Sequence, residues 1–189
     1  MQNFEFANSP LLGISVITPL YAEDERGYFL KSYQRDVFEQ NQIPCDLFET
    51  FETGSRRGVV RGLHFQDRNP QAKLVRAPYG EVFDVAVDLR PQSPTLGKWE
   101  SFRLSAQNRQ MLLVPAGFAH GFLVLSDFAV VSYCCDGPYS KETDSGILWS
   151  DRDLAIPWPV EDPSACIVSE RDQKLQSFAQ YVRSRRGFL

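Results

Sequence analysis

Short apolar runs dominate this 189-residue chain. Each is too brief for a long helix and is closed by turn residues, which leaves few ways to fold. The runs cover 12–18, 59–65, 73–77, 81–89, 99–104, 111–114, 121–125 and 129–134. They are rich in Val, Leu and Phe, with Gly, Pro, Asn, Asp and Ser between them. Closely spaced strands with such punctuation point to antiparallel sheets. The expected class is therefore all-β, a sandwich or barrel in one domain spanning 1–189. Within 81–88, Val82, Asp84, Ala86 and Asp88 share one face and Phe83, Val85 and Val87 the other, since strand side chains alternate. Asp84 is thus expected to point into the interior. Helix is scarce. One short helix is expected over 35–41 and another after Ser169, where Leu175, Phe178, Ala179 and Val182 recur at helical spacing. Ser169 and Asp172 resemble a capping box there, and Arg183, Arg185 and Arg186 suit that helix's C-terminus.

The net charge of −4 gives no reason to expect a nucleic-acid partner. No run reaches the ~20 apolar residues of a membrane span. Residues 1–6 lack the basic and apolar regions of a signal peptide, so a cytoplasmic location is expected. Cys45, Cys134, Cys135 and Cys166 form no CxxC pair and are expected as reduced thiols. Cys134 and Cys135 should point to opposite faces of a strand.

Only two histidines are present, His64 and His120. A three-histidine metal site is therefore excluded, although two histidines with Asp84 or Asp88 could still bind a cation. His64 lies between Arg61 and Lys73 in sequence. Imidazole moves protons near neutral pH, and arginine suits phosphate. A lysine ammonium near a carbonyl would stabilise an enolate. These residues suggest acid–base chemistry on an anionic substrate.

Several segments together resemble the dTDP-4-dehydrorhamnose 3,5-epimerase family, also called the RmlC-like cupins. They are Asp24-Glu25-Arg26-Gly27, Arg61-Gly62-Leu63-His64-Phe65-Gln66, Ala72-Lys73-Leu74-Val75-Arg76, the 80–88 run and Ser93-Pro94-Thr95. Gly97-Lys98-Trp99, the 115–122 segment, Ile147-Leu148-Trp149-Ser150-Asp151, Pro157-Trp158-Pro159 and Ser169-Glu170-Arg171-Asp172 complete the set. The resemblance implies a jelly-roll, cupin-type β-barrel with a few short peripheral helices and a C-terminal helix. It also implies no metal or other cofactor, and a homodimer that exchanges strands. The implied reaction is epimerisation of a nucleotide-linked 4-keto-6-deoxyhexose at C3, C5 or both. His64 would be the base and Asp172 its orienting partner. Lys73 would steady the oxyanion on O4, and Tyr133 would reprotonate from the opposite face. Arg26, Arg61 and His120 would hold the diphosphate or adjoining sugar, and Tyr139 would stack on the base. A 3-only or 5-only epimerase, a ketoisomerase and a catalytically silent sugar-nucleotide binding module are the rival readings. An opposed acid and base favour the epimerase.

The chain departs from the family pattern among residues expected to bind substrate. Lys31 stands where Glu is usual, Glu49 where Gln is, Phe51 where Asn is and Arg171 where Lys is. Asp136-Gly137-Pro138 also departs from the usual loop before Tyr139. Lys31 and Glu49 are expected to form a compensating ion pair. Phe51 cannot replace a hydrogen bond, so an altered choice of nucleotide base is expected.

Overall fold

A computed structural model of the protein describes residues 3–9, 13–43 and 46–185. Leu12, Cys45 and Arg186 lie outside the described residues. Fourteen strands are present among the described residues: β1 (Glu5–Asn8), β2 (Ser15–Thr18), β3 (Leu20–Asp24), β4 (Gly27–Lys31), β5 (Glu49–Arg56), β6 (Val59–Gln66), β7 (Lys73–Tyr79), β8 (Glu81–Asp88), β9 (Trp99–Ser105), β10 (Met111–Val114), β11 (Phe118–Val124), β12 (Phe128–Cys135), β13 (Asp144–Gly146) and β14 (Ile167–Val168). One sheet runs β1-β2-β10-β7-β12-β5. The other runs β13-β6-β11-β8-β9, with β14 beside β6, and β3 and β4 pair as a separate hairpin.

The alternation in each strand decides what fills the space between the sheets. In β12, Ala129, Val131, Tyr133 and Cys135 are buried in one core, whereas Val130, Ser132 and Cys134 are only half-buried. In β8, Val82 and Ala86 join that core, while Val85 and Val87 pack in a second one on the outer face of their sheet. Asp84 therefore points inward and is fully buried. Each large apolar side chain removed from water contributes about 1.5–3 kcal/mol, so the pattern fixes both faces of every central strand. Cys134 and Cys135 do point to opposite faces, and with Cys166 they are free thiols.

The architecture is of the expected all-β jelly-roll type, a sandwich of two sheets that among the described residues do not close into a barrel. One sheet ends at β1 and β5 and the other at β13 and β9, with no ladder joining them among the described residues. The short helix is α1 (Arg35–Gln40), which covers the outer face of the first sheet through Phe38. The C-terminal helix starts later than the sequence suggests. Asp172 begins a 3₁₀ turn, Asp172–Lys174, with its backbone N–H bonded to Ser169 Oγ at 3.0 Å. The helix proper, α2 (Phe178–Ser184), is capped by Ser177 in a capping box with Gln180. Leu175 therefore precedes it, because the chain must first turn the Asp172 side chain inward.

The pairing of β6 with β11 has one irregularity that matters for function. His120 faces His64 in register, but Phe122 faces Arg61, so β6 carries one extra residue at Gly62-Leu63. In a regular strand Arg61 and His64 would face opposite ways. The bulge shifts the alternation by one. Val60, Leu63 and Phe65 then pack outward in the second core, leaving Arg61 and His64 on the inner side. Gly62 has φ +126°, and a Cβ on it would lie 2.6 Å from Gly121 Cα and 2.9 Å from the His120 carbonyl oxygen. Only glycine fits both the backbone conformation and the gap. Gly62→Ala should destabilise the protein by about 1–3 kcal/mol from backbone strain alone. Urea unfolding with an unchanged midpoint would contradict this reading of the bulge.

Candidate active site

Two histidine–carboxylate pairs lie side by side on β6 and β11. His64 Nε2 is 2.8 Å from Asp172 Oδ1, and Asp172 Oδ2 accepts the Gly62 backbone N–H at 3.2 Å. Burial opposes ionisation of Asp172, but the bonds from His64 and Gly62 outweigh it and hold the carboxyl below its usual range. With Nε2 donating its proton to that carboxylate, Nδ1 keeps the free lone pair. His64 retains 29% side-chain exposure, so the ring is reachable. His120 differs. It is 3% exposed, and its Nε2 lies 2.9 Å from both oxygens of the buried Asp84. Although neighbours in register, the two imidazoles are held by separate carboxylates. Asp88 is engaged elsewhere, by Arg90, Ser93 and Thr95. Among the described residues no group of three His, Cys, Asp or Glu is placed to hold a metal ion.

The facing sheet supplies a lysine and a tyrosine. Lys73 opens β7 and stands opposite Cys135 of β12 in register. Desolvation pulls its ammonium below the ordinary lysine range, and the fields of Cys135, Asp144 and Asp84 only partly restore it. Tyr133, on β12, is 7% exposed. Burial and the Asp84 charge push its phenol above the ordinary range, with Thr53 and Arg61 acting the other way. The His120 ring meets it edge-on at 5.8 Å and the Phe51 ring stacks on it at 4.7 Å. Arg61 donates to Ser55 Oγ at 2.9 Å.

A cavity of about 440 Å³ is lined by Glu49, Phe51, His64, Lys73, Tyr139 and Arg171, with Thr50, Phe65, Gln66, Gln71 and Asp144 completing its wall. That volume suits a small organic ligand. At its rim, Asp144 accepts the Tyr139 hydroxyl at 2.8 Å and pairs with Arg171 at 2.7 Å. No local pattern singles out Asp144, Gln66 or Gln71. They come to the site through β13 and through the bonds from Gln71 to Glu49 and to the Gly137 carbonyl.

Asp172, Tyr133, Arg61 and His120 are not part of that lining, although His64 and Phe51 connect Asp172 and Tyr133 to it, and Arg26 and Lys31 lie apart from it within the chain. Arg26 sits at the tip of the β3–β4 hairpin, exposed and bonded to Asp24 at 3.1 Å. Lys31 donates to Gln34 Oε1 at 3.1 Å. The expected Lys31–Glu49 ion pair is not formed, because Glu49 accepts from Gln71 at the cavity while Lys31 lies at the end of the hairpin.

The model of the dTDP-4-dehydrorhamnose 3,5-epimerase family matches residues 8–180. The dTDP-4-dehydrorhamnose 3,5-epimerase of Methanothermobacter thermautotrophicus is 47% identical over 92% of this chain and 94% of its own length. A Legionella pneumophila crystal structure, a dTDP-6-deoxy-D-glucose-3,5-epimerase in complex with dTDP-4-keto-L-rhamnose, superposes with a TM-score of 0.89 at 37% identity. It covers 94% of each chain. NovW of Streptomyces spheroides, a 4-keto-6-deoxy sugar epimerase, gives a TM-score of 0.90 at 38% identity over 97% of this chain and 92% of its own. This protein therefore belongs to the dTDP-4-dehydrorhamnose 3,5-epimerase family.

Proposed function

We propose that this protein epimerises a dTDP-linked 4-keto-6-deoxyhexose at the carbons flanking its C4 ketone. One observation carries the reading. His64, held by Asp172, lines a cavity across from Lys73 of the facing sheet, and Tyr133 stacks on the Phe51 ring that forms part of the same wall. A pyranose between the sheets then presents one face to a base and the other to an acid.

The ketone acidifies the protons on C3 and C5. His64 Nδ1 removes one, and the charge gained by the ring is held by Asp172. Electron density moves to O4, where the Lys73 ammonium stabilises the enolate. Tyr133 delivers a proton to the same carbon from the other face, which inverts it. Its raised pKa keeps it a phenol at working pH, the form that can donate. The cycle closes when His64 gives its proton to water and the phenolate takes one back. Arg61 and Arg171 offer charge to the diphosphate, and Tyr139, more than half exposed, offers a face to the base. His120 contributes through whichever edge Asp84 leaves free.

The dTDP assignment rests on relatives whose names carry that nucleotide, so the expected change of base is not part of the proposal. Phe51, the position that prompted it, packs against Tyr133. A homodimer belongs to the same proposal. The hairpin exposes Tyr28 and Phe29 at 65% and 58%, and packing it on a second copy would cover them. It would also carry Arg26 and Lys31 toward that copy's cavity. The cytoplasm is the proposed location; no described helix is long and apolar enough to cross a membrane.

Incubation with dTDP-4-keto-6-deoxyglucose in D₂O tests the reading, with the CDP- and GDP-linked sugars as controls. Deuterium should appear at C3 and C5 of the epimerised product, and His64→Asn should slow exchange by about 10²–10⁴-fold. No wash-in with any nucleotide sugar would leave a binding module, and exchange surviving in His64→Asn would mean another base. A second prediction concerns Lys73. A lysine with a lowered pKa loses its charge as pH rises through that lower value, so activity should decline with rising pH earlier than an ordinary lysine would allow. Tyr133 is shifted upward and cannot produce this limb. Lys73→Arg should move the limb beyond the measurable range, since arginine titrates above about 12. An alkaline limb unmoved in Lys73→Arg would refute the assignment.

A further inference from the structure

The surroundings of Tyr133 point to one more residue that shapes the reaction. β5 and β12 are antiparallel, and their register puts Phe51 directly opposite Tyr133. Side chains opposed in this way share one face of the sheet and interact most strongly. Here the two rings stack nearly parallel, with centroids 4.7 Å apart and planes 14° from one another. Tyr133 is almost fully buried, whereas Phe51 keeps 44% exposure and forms part of the cavity wall. A second ring contact to Tyr133 is the His120 edge at 5.8 Å and 81°. His120 is itself fixed by two bonds to Asp84. The phenol is thus flanked on one side by a histidine anchored to Asp84 and on its face by a phenylalanine that lines the cavity.

We propose that Phe51 is a positioning residue for Tyr133, holding the phenol plane so that its hydroxyl meets the substrate carbon on the face opposite His64. This rests on the reading of Tyr133 as the proton donor. A carbon deprotonated by His64 has two fates. His64 can return a proton to the face it left, which restores the starting sugar, or Tyr133 can deliver one to the other face, which completes the inversion. Both conserve protons, because His64 exchanges its proton with water and the phenolate recovers one from water. The stack on Phe51 sets the ratio between them. A Tyr133 ring free to tilt meets the enolate less often, and return wins more often.

In D₂O the two fates are separable. Return after exchange leaves deuterium in unreacted substrate, whereas inversion leaves it in the epimer. The experiment uses the full-length protein with dTDP-4-keto-6-deoxyglucose and compares Phe51→Leu, Phe51→Asn and Phe51→Tyr with the native chain. Leu and Asn remove the stacked ring. They should raise the ratio of labelled substrate to labelled epimer about fivefold or more, a shift in barriers near 1 kcal/mol. Phe51→Tyr keeps a stackable ring and should retain the native ratio. An unchanged ratio in Phe51→Leu and Phe51→Asn, with only kcat lowered or KM raised, would overturn the proposal. Thermal unfolding of each variant identifies any that fail to fold, and the ratio is read only from folded protein. Tyr133→Phe separates this idea from the one beneath it. If Tyr133→Phe still inverts at the native ratio, the donor reading fails. If it exchanges without inverting while Phe51→Leu inverts normally, only the role of Phe51 fails.

Discussion

The close approach of β6 to β11 at Gly62 and Gly121 is the constraint on which the site depends. A Cβ on Gly121 would fall 2.6 Å from the Arg61 carbonyl oxygen, and one on Gly62 would meet Gly121 itself. The two glycines let the strands pinch, and the pinch absorbs the extra residue in β6. From it follow the shared inner face of Arg61 and His64 and the aim of the Gly62 N–H at Asp172. Asp172 in turn explains why the chain makes a 3₁₀ turn before α2. The turn brings a carboxylate to His64 at the cost of a longer continuous helix.

The second organising element is the division of labour between the sheets. His64, His120 and Asp84 belong to one, and Lys73, Tyr133 and Phe51 to the other. A sandwich core is about 10 Å thick, which leaves room for a sugar ring where large apolar side chains give way to polar ones. Burial raises the Tyr133 pKa and lowers that of Lys73. Each shift suits the role proposed for its residue: the phenol stays protonated, and the ammonium shares a proton more readily with an enolate.

Much of this was legible in the chain, for physical reasons that differ by element. β8 and β12 announce themselves because their alternation is strict and both faces are covered. Asp84 was placed inward by that alternation alone. β5 and the β3–β4 hairpin escaped because Glu49, Glu52, Gly54 and the exposed hairpin residues carry little apolar period. Arg61 and His64 sit three apart, which the period of two assigns to opposite faces, and only the glycine inside the strand hinted at a bulge. The pairing of His64 with Asp172 spans 108 positions, and no local pattern can reveal such a contact; family resemblance supplied it. Closure into a barrel was also beyond the pattern, because alternation fixes faces and says nothing about whether edges meet.

The most direct test is a crystal structure of the protein with a dTDP-4-keto-6-deoxy sugar bound. The account predicts the sugar ring between the sheets, with a His64 nitrogen and the Tyr133 oxygen on opposite faces of C3 or C5 and O4 toward Lys73. A ring with both groups on one face, or one bound away from Tyr133, would contradict it.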